Sequence, residues 1–219
     1  MRDIVFGSNI EIRRPRPVGV FKILLASILD LTSPAKAKFR GQMSDLTDPY
    51  KLTITYVGHA TIFINFYGTT ILTDPVFVNR VGLIVKRKIE PGLTIEQLPP
   101  LDIVLISHAH LDHLNRPSLR KLAHKTKTLI VAKNCSDLVR DLGFKKIVEL
   151  HWEDSFRPSP DEGRVVRQPA DREGLQLLTF RPQHWGARMP WERVKRGYNS
   201  YLISKNGVNI LFAGDTGNS

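Results

Sequence analysis

The sequence has a single cysteine and no long apolar run, and both absences restrict what the chain can be. Cys135 is the only cysteine among 219 residues. An internal disulfide is therefore excluded, and we expect a reducing compartment, the cytoplasm. No stretch comes near the roughly 20 apolar residues that a membrane-spanning helix needs, so we do not expect an integral membrane protein. Low-complexity tracts and repeats of about 20–50 residues are also absent.

Acidic residues are in short supply, with 21 Asp and Glu against 32 Lys and Arg and a formal net charge of +11. A surface so biased attracts polyanions, phosphate esters or anionic lipid headgroups over long range. We do not expect a nucleic acid partner, because no basic stripe interleaved with aromatic residues is visible. Residues 1–41 carry eight basic and three acidic side chains, which indicates either a solvated arm or a contact for an anionic membrane.

The sequence pattern divides the chain near residue 50. Residues 18–31 have the period of a short amphipathic helix, and a cleaved signal peptide is the alternative interpretation, opposed by Lys22. The apolar face of this helix holds Phe21, Leu24, Leu25, Ile28 and Leu31. Pro34, Gly41 and Pro49 are typical of a linker over residues 32–50. We therefore predict a basic arm with a helix and linker over 1–50 and one α/β domain over 51–219.

The second region has the pattern of a layered α/β domain with sheets inside and helices outside. Alternating apolar residues and turn signals predict a β-meander, and an apolar run predicts a buried central strand. The meander covers 52–57, 61–66 and 69–73, a loop rich in Pro and Lys covers 75–100, and the central strand covers 101–106. Helices are predicted at 117–124 and 134–142, and further strands at 128–132, 145–150, 174–180, 197–203 and 208–213.

A dense group of metal-binding side chains follows the predicted central strand. His108, His110, Asp112 and His113 lie within six residues, and they offer the ligand types that zinc and other borderline divalent ions prefer. In a tight loop the first two histidines can point to one ion while Asp112 and His113 point to a second ion nearby. His184 and Asp215 also follow predicted strands, and spacing alone leaves each of them equally open to a ligand role and a structural one.

Several stretches resemble the metallo-β-lactamase superfamily, and within it the branch of N-acyl-phosphatidylethanolamine-hydrolysing phospholipase D. The matching stretches are VGHATIFI (57–64), TDPVF (73–77), LTIEQLPPLDIVLISHAHLDHL (93–114), RPQHWGAR (181–188) and FAGDTG (212–217). The His-x-His-x-Asp-His signature defines the superfamily, and the Gln-His-Trp and Gly-Asp-Thr-Gly stretches point to this branch. Ascorbate-6-phosphate lactonases share the Gly-His-Ala-Thr opening and are the nearest competing resemblance.

The resemblance implies an αββα sandwich that carries two Zn²⁺ ions on one edge, with iron or manganese as alternative metals. Position by position, the resemblance implies that His108, His110 and His184 bind the first ion. It implies that Asp112 and His113 bind the second ion and that Asp215 bridges both. Asp74 is implied to support the ligand loop without binding metal. His59 either orients a ligand or is a satisfied core histidine.

The sequence departs from the family pattern in two places. The family supplies one more histidine to the second metal, after the Gly-Asp-Thr-Gly stretch, and no histidine lies between His184 and Ser219. We therefore expect a sandwich truncated in its C-terminal half, with the second metal site incomplete. The stretch 196–200 also differs from the Leu-Trp-Gly-Ser type that is usual in the phospholipase branch.

The predicted chemistry follows from the ions. Water held between two divalent cations loses a proton near neutral pH, so a metal-bound hydroxide is the expected nucleophile, with Asp112 available for proton transfer. We predict a phosphodiesterase that acts on a phospholipid-like substrate. A lactonase or esterase on the same ions, and a catalytically silent truncated fragment, are the alternatives. The resemblance also implies that a basic cluster in the loop before the central strand lies near the mouth of the site, where it could receive a phosphate: Arg80, Lys86, Arg87 and Lys88.

Overall fold

The computed structural model describes residues 35–36, 41–82, 85–158, 174–189 and 191–217. The helix predicted at 18–31 and most of the basic arm lie outside these residues. Within the described ranges, no helix combines the length and the apolar character needed to cross a bilayer.

Twelve strands and one α-helix are present in the described residues. The first strands are β1 (Leu52–Gly58), β2 (Thr61–Phe66), β3 (Thr69–Thr73), β4 (Arg80–Val81), β5 (Val85–Lys86) and β6 (Leu101–Leu105). Helix α1 (Arg116–Leu122) and strands β7 (Thr126–Ala132), β8 (Ile147–Leu150), β9 (Ser155–Phe156), β10 (Gln176–Phe180), β11 (Ser200–Lys205) and β12 (Val208–Phe212) follow. Short 3-10 helices cover Met43–Leu46, Ala123–Lys125 and Ser136–Leu138. The strand predictions are confirmed apart from small differences at their ends.

Two sheets form the body of the domain. The first has the order β1-β2-β3-β6-β7-β8; its first three strands form the predicted antiparallel meander, and β3, β6, β7 and β8 run parallel. The second sheet is antiparallel, in the order β12-β11-β10-β9. Strands β4 and β5 form a separate hairpin, inside the stretch that the sequence pattern predicts as a loop.

The alternation of side chains along the strands produces two apolar layers. One face of the first sheet, including Phe63 and Val104, packs against Leu119 and Leu122 of α1. The opposite face, including Ile103, packs against Leu177, Tyr201 and Ile203 of the second sheet. These layers supply one helical layer and both sheets of the predicted αββα sandwich. Among the described residues, no helix covers the outer face of the second sheet.

The helix predicted at 134–142 is wrong. Only Ser136–Leu138 are helical there, as a single 3-10 turn. Arginine side chains occupy carbonyls that an α-helix would use internally: Arg196 donates to the Asn134 carbonyl and Arg116 to the Leu138 carbonyl. The tertiary contacts of this segment therefore override its helical period.

The last part of the predicted linker packs on the sheet. Leu46 lies in the 3-10 helix Met43–Leu46 and is buried in the first apolar layer. The Asn65 side chain donates to the carbonyls of Asp45 and Asp48 at 2.9 and 2.8 Å. Residues 45–48 are thus fixed to the meander. That the arm forms a separate region from the domain remains a prediction for the residues before 35.

Candidate metal centre

Every candidate ligand lies at the same edge of the sandwich. The pairing pattern makes β1, β3 and β6 parallel to one another in the first sheet and makes β10 parallel to β12 in the second. The carboxyl ends of strands that run in one direction meet at one edge, where ligands usually bind. The six predicted ligands and two supporting residues follow these ends: His59 after β1, Asp74 after β3, His108 to His113 after β6, His184 after β10 and Asp215 after β12.

The loop that follows β6 is held in place by groups from the second sheet and its loops. The Tyr201 hydroxyl donates to the Ile106 carbonyl at 2.8 Å. The backbone amide of Asn199, the residue just before β11, donates to the Ser107 carbonyl at 2.8 Å. The Arg188 guanidinium donates to the carbonyls of Ala109 and Leu114 at 2.9 and 3.1 Å. The loop is therefore fixed at both of its ends.

Three histidines form the first set of converging nitrogen atoms. His108 Nε2 lies 2.7 Å from His110 Nδ1, and His184 Nε2 lies 3.2 and 3.3 Å from these two atoms. With a carboxylate oxygen of Asp215, the ligand atoms of this set all lie within 4.8 Å of one another. Burial and the neighbouring histidines lower the pKa of His108 to about 2. Burial also lowers the pKa of His110 and of His184, so all three are neutral imidazoles at pH 7, the form that binds metal.

A second set lies beside the first. It consists of His59, Asp112 and His113, whose ligand atoms also lie within 4.8 Å of one another. His113 Nε2 is 3.7 Å from Asp112 Oδ2, and His59 Nε2 is 3.3 Å from the same oxygen. A hydrogen bond from His59 lowers the pKa of the Asp112 carboxyl, which is therefore ionised at pH 7.

Asp215 faces both sets. Its Oδ1 lies 3.3 Å from His113 Nε2, and its Oδ2 lies 3.9 Å from His184 Nε2. The preceding Gly214 has a φ of +63°, and a Cβ there would lie only 2.8 Å from the Ser107 Cβ. A residue without a side chain is thus required for the chain to bring Asp215 this close to the ligand loop.

Asp74 lies beneath the ligand loop and is fully buried. Its carboxylate accepts from the Ser107 amide at 2.7 Å, the Ser107 hydroxyl at 2.6 Å and His113 Nδ1 at 2.7 Å. Burial opposes a charge on His113, but the hydrogen bond and charge of Asp74 outweigh it and raise the pKa of His113 to about 9. A proton on Nδ1 leaves Nε2 as the atom that can bind a metal.

One buried atom of the second set shows that the site suits a cation. His113 Nε2 has no hydrogen-bond partner among the described residues. A buried polar atom without a partner costs free energy, and a bound ion is one way of satisfying it. His113 is only 1% exposed, and its Nε2 faces the carboxylates of Asp112 and Asp215. The donor set of imidazoles and carboxylates therefore fits divalent metal ions.

His59 is not the buried core histidine that the sequence leaves open. Its side chain is 34% exposed and contacts Asp112. Asp74 occupies the supporting position that the resemblance implies. In the predicted basic cluster, however, Arg87 is turned inward: it is 9% exposed and donates to the Val76 carbonyl at 2.7 Å. Arg87 is therefore engaged with the backbone and is not placed to receive a phosphate.

The β4–β5 hairpin, which carries Arg80 and Lys86, lies next to the second set. A Cβ on Gly82 of this hairpin would lie 4.0 Å from the Asp112 Cβ. The prediction that this segment lies near the mouth of the site agrees with its position.

The sequence pattern does not single out the groove that runs beside the first set. Trp185, Trp152 and Tyr198 contribute to its lining, and its volume is about 610 Å³. The Trp185 ring lies 4.2 Å from the His110 ring, and the Trp152 indole donates to the Tyr198 carbonyl at 2.6 Å. The only sequence signal is that Trp185 directly follows the candidate ligand His184.

Comparisons with known proteins agree with this fold. A family model described as "Beta-lactamase superfamily domain" matches residues 69–219. A mitochondrial N-acyl-phosphatidylethanolamine-hydrolyzing phospholipase D from Saccharomyces cerevisiae is 30% identical over 168 residues, covering 74% of this chain and 34% of the relative. An N-acyl-phosphatidylethanolamine-hydrolyzing phospholipase D 1 from Caenorhabditis elegans is 23% identical, covering 93% of this chain and 60% of the relative. The chain thus spans about a third to three-fifths of the length of these two relatives.

Solved structures show the same fold. The diiron β-hydroxylase CmlA from Streptomyces venezuelae has a TM-score of 0.54 at 22% identity, covering 74% of this chain and 29% of that one. The metallo hydrolase Igni18 from Ignicoccus hospitalis has a TM-score of 0.53 at 20% identity, covering 75% and 61%. The family model, the two-sheet architecture and the convergence of ligands at one edge lead to the same conclusion: the chain belongs to the metallo-β-lactamase superfamily.

Proposed function

We propose that the protein is a metal-dependent hydrolase that binds two divalent ions and cleaves a phosphodiester in a phospholipid-like substrate. The observation that carries this proposal is the pair of ligand sets joined by Asp215, whose two carboxylate oxygens face His113 and His184. His108, His110 and His184 would hold one ion, and Asp112 and His113 would hold the other. When bound, such ions activate water and neutralise charge that develops on a phosphoryl oxygen.

The residues around the ions have separate tasks in this proposal. Asp74 keeps the Nδ1 proton on His113, so that Nε2 is directed to the site. Asp112 is ionised and 39% exposed, and we assign it the transfer of a proton from the attacking water. Arg188 holds the ligand loop through the carbonyls of Ala109 and Leu114.

The groove beside the first set supports an amphiphilic anion as the substrate. Trp185 is 55% exposed and offers an apolar surface next to His110. The exposed side chains of Lys133 and Lys195 line the same groove. Glu192, an acid in the lining, is already held by Arg196 at 2.6 Å. A positive groove with aromatic walls suits a phosphate that carries an apolar group, which is also the chemistry named for the yeast and nematode relatives.

Zinc is the metal that we propose, because neutral imidazole and carboxylate are its usual ligands in hydrolytic sites. The same ligands accept iron or manganese, and the structurally similar CmlA is a diiron enzyme. Elemental analysis of the protein as purified identifies the native metal. Predominant iron would contradict the zinc assignment without affecting the ligand sets.

A substrate panel tests the proposed reaction. The metal-loaded chain is given a lipid phosphodiester, a short soluble phosphodiester, a lactone and a carboxylic ester, and hydrolysis is followed by product release. We expect the lipid phosphodiester to be cleaved fastest. Turnover of the lactone or ester alone would favour the competing lactonase or esterase, and no turnover of any of them by protein that binds metal would favour a silent fragment.

Matched histidine variants separate this activity from contamination. His110→Ala removes a ligand and should reduce hydrolysis by more than about 100-fold, the upper end of losses for residues that only orient a ligand. His124→Ala replaces an exposed histidine in the turn after α1 and should leave hydrolysis unchanged. Equal activity of the two variants would contradict the site assignment.

We also propose that the enzyme is cytoplasmic and binds peripherally to an anionic membrane through its basic arm. Each basic residue near an anionic surface adds up to about 1 kcal/mol of attraction, and the first 41 residues carry eight of them. Co-sedimentation with anionic vesicles should weaken as salt increases and disappear when residues 1–40 are deleted. Unchanged binding of the deleted protein would show that the arm is not the membrane contact.

A further inference from the structure

The residue that follows strand β10 brings a cationic side chain to the first ligand set. Arg181 comes directly after β10 and three residues before the candidate ligand His184. It is exposed and lines a pocket of about 320 Å³ together with His184 and Tyr198. Pro182 and Gln183 complete the described lining, so Arg181 supplies the permanent positive charge of this pocket.

The indole of Trp152 holds this guanidinium in place. The guanidinium carbon of Arg181 lies 4.5 Å from the centre of the Trp152 ring, which is the arrangement of a cation–π contact. The indole is itself fixed, because its NH donates to the Tyr198 carbonyl at 2.6 Å. Tyr198 in turn pairs with His108 through an isolated antiparallel β-bridge. Two aromatic residues thus position Arg181 relative to the first ligand set.

The protein does not neutralise the charge of Arg181. In the part of the chain that the structure describes, no carboxylate oxygen lies within 4.0 Å of its guanidinium nitrogen atoms. By contrast, Arg188 donates to two backbone carbonyls, and Arg196 pairs with two carboxylates. A cation that is fixed beside a metal ligand and has no acidic partner is suited to binding an anion.

The pocket of Arg181 meets the aromatic groove at Tyr198, which lines both cavities. Trp152 connects them as well, because it lines the groove and contacts Arg181. A substrate whose phosphate lies at the ions can therefore extend its apolar group along the groove while Arg181 receives the negative charge. A guanidinium binds a phosphoryl group through two parallel hydrogen bonds, which fixes its orientation.

We propose that Arg181 is a substrate-binding residue that recognises the negative charge of a phosphodiester by pairing with its non-bridging oxygen atoms. This inference rests on the proposed function and deepens it by naming the residue that recognises the substrate. The pair exists both before and during cleavage of the diester. Its loss should therefore raise KM and leave kcat nearly unchanged.

Two small soluble phosphodiesters test the assignment. Bis(para-nitrophenyl) phosphate reports turnover by its coloured product, and diphenyl phosphate, which has poorer leaving groups, reports binding in titration calorimetry. The zinc-loaded chain is compared with Arg181→Gln, which removes the charge, and with Arg181→Lys, which keeps the charge without the planar fork. Arg157→Gln is the matched control, because Arg157 is also exposed and donates to Gln176 at the opposite end of β10. Zinc content and circular dichroism establish that each variant is intact.

Arg181→Gln should raise both KM for bis(para-nitrophenyl) phosphate and Kd for diphenyl phosphate about tenfold. This is the lower range for a hydrogen bond to a charged group, as expected for a site exposed to solvent. The value of kcat should change by less than about twofold. Arg181→Lys should show a smaller loss, and Arg157→Gln should show none.

Other results would overturn the proposal in recognisable ways. Unchanged KM and Kd in Arg181→Gln would refute the assignment and leave the two-ion hydrolase intact. A lower kcat with unchanged KM, or loss of zinc, would show that Arg181 supports the ligand loop and does not bind substrate. A defect seen only with a lipid phosphodiester in vesicles would assign Arg181 to a membrane contact. If the unaltered chain cleaves no phosphodiester, the proposed reaction is refuted, whereas the calorimetry still tests the anion site because it requires no turnover.

Discussion

Replacing Asp74 with asparagine should weaken the second metal site with little change in shape. Asp74 is fully buried, and its carboxylate accepts three hydrogen bonds, two from Ser107 and one from His113 Nδ1. Because a carboxylate can only accept, it keeps the proton on His113 Nδ1, so Nε2 is the nitrogen that gives up its proton and binds metal. An asparagine amide that faces His113 donates a hydrogen bond instead. Nδ1 must then accept, and the proton moves to Nε2, where it blocks metal binding.

The size of the effect follows from this change of tautomer. Residues that only orient a metal-bound histidine typically contribute about 10–100-fold to metal affinity, which corresponds to about 1.4–2.7 kcal/mol. The first ion should be affected less, since Asp74 reaches His108 only through the Ser107 hydroxyl, which lies 2.8 Å from His108 Nδ1. The opposite orientation of the amide would place its NH₂ against the Ser107 amide, an unfavourable pairing of two donors.

Zinc affinity at both sites, measured by competition with a chelator, gives the result directly. Asp102→Asn is the matched control, because Asp102 is a carboxylate of the same sheet that accepts from the Thr70 amide at 2.8 Å and pairs with Lys127 at 2.8 Å, away from every ligand. Asp102→Asn should alter stability without altering zinc affinity. If Asp74→Asn binds the second ion within about twofold of the unaltered protein, control of the His113 tautomer by Asp74 is refuted.

Three further predictions concern pH, backbone geometry and stability. The pKa of His113 is raised to about 9, so this side chain is protonated at pH 7 in the ion-free protein. A metal ion must displace that proton, and the affinity for the second ion should therefore fall about tenfold for each pH unit between about pH 9 and about pH 6. An affinity that does not change with pH in titration calorimetry would contradict this prediction. Gly214→Ala should weaken both ions because its Cβ would lie 2.8 Å from that of Ser107, whereas Gly207→Ala, at a similar φ of +73° with nothing within 4 Å, should not affect metal binding. Arg196→Lys should lower the free energy of unfolding, measured in urea, by about 2 kcal/mol and leave the metal content unchanged. The buried guanidinium forms ion pairs with both Asp137 and Glu192, and a lysine ammonium cannot pair with both carboxylates in the same geometry.

The ligand loop could be predicted from sequence because its members are adjacent in the chain. His108 to His113 follow an apolar strand directly, so a local pattern is enough. His184 and Asp215 are different: spacing leaves their role open, and only the family resemblance selects them. Their position beside His108 depends on strand pairing in a second sheet, which no local pattern specifies.

Contacts between distant segments were the least predictable part. The period of residues 134–142 is helical, but arginine side chains from elsewhere occupy the Asn134 and Leu138 carbonyls. The groove beside the site likewise forms only when Trp152 and Trp185 meet through the fold. For His59 the sequence leaves a supporting role and a core position open, and the left-handed turn that exposes it could not be read from composition.

The division of the ligands between the two sheets has a mechanical consequence. His108 and His110 follow a strand of the first sheet, while His184 follows one of the second, 76 residues from His108 along the chain. A cation held by all three would link the two sheets in the folded state only, because it is released when the chain unfolds. Its stabilisation is therefore its binding free energy, about 2.7 kcal/mol when the free ion is at about 100 times its dissociation constant. Removal of the ion by a chelator should therefore weaken the contact between the two sheets. Amide hydrogen exchange in β10 and β11 should accelerate, while β6 and β7 remain protected.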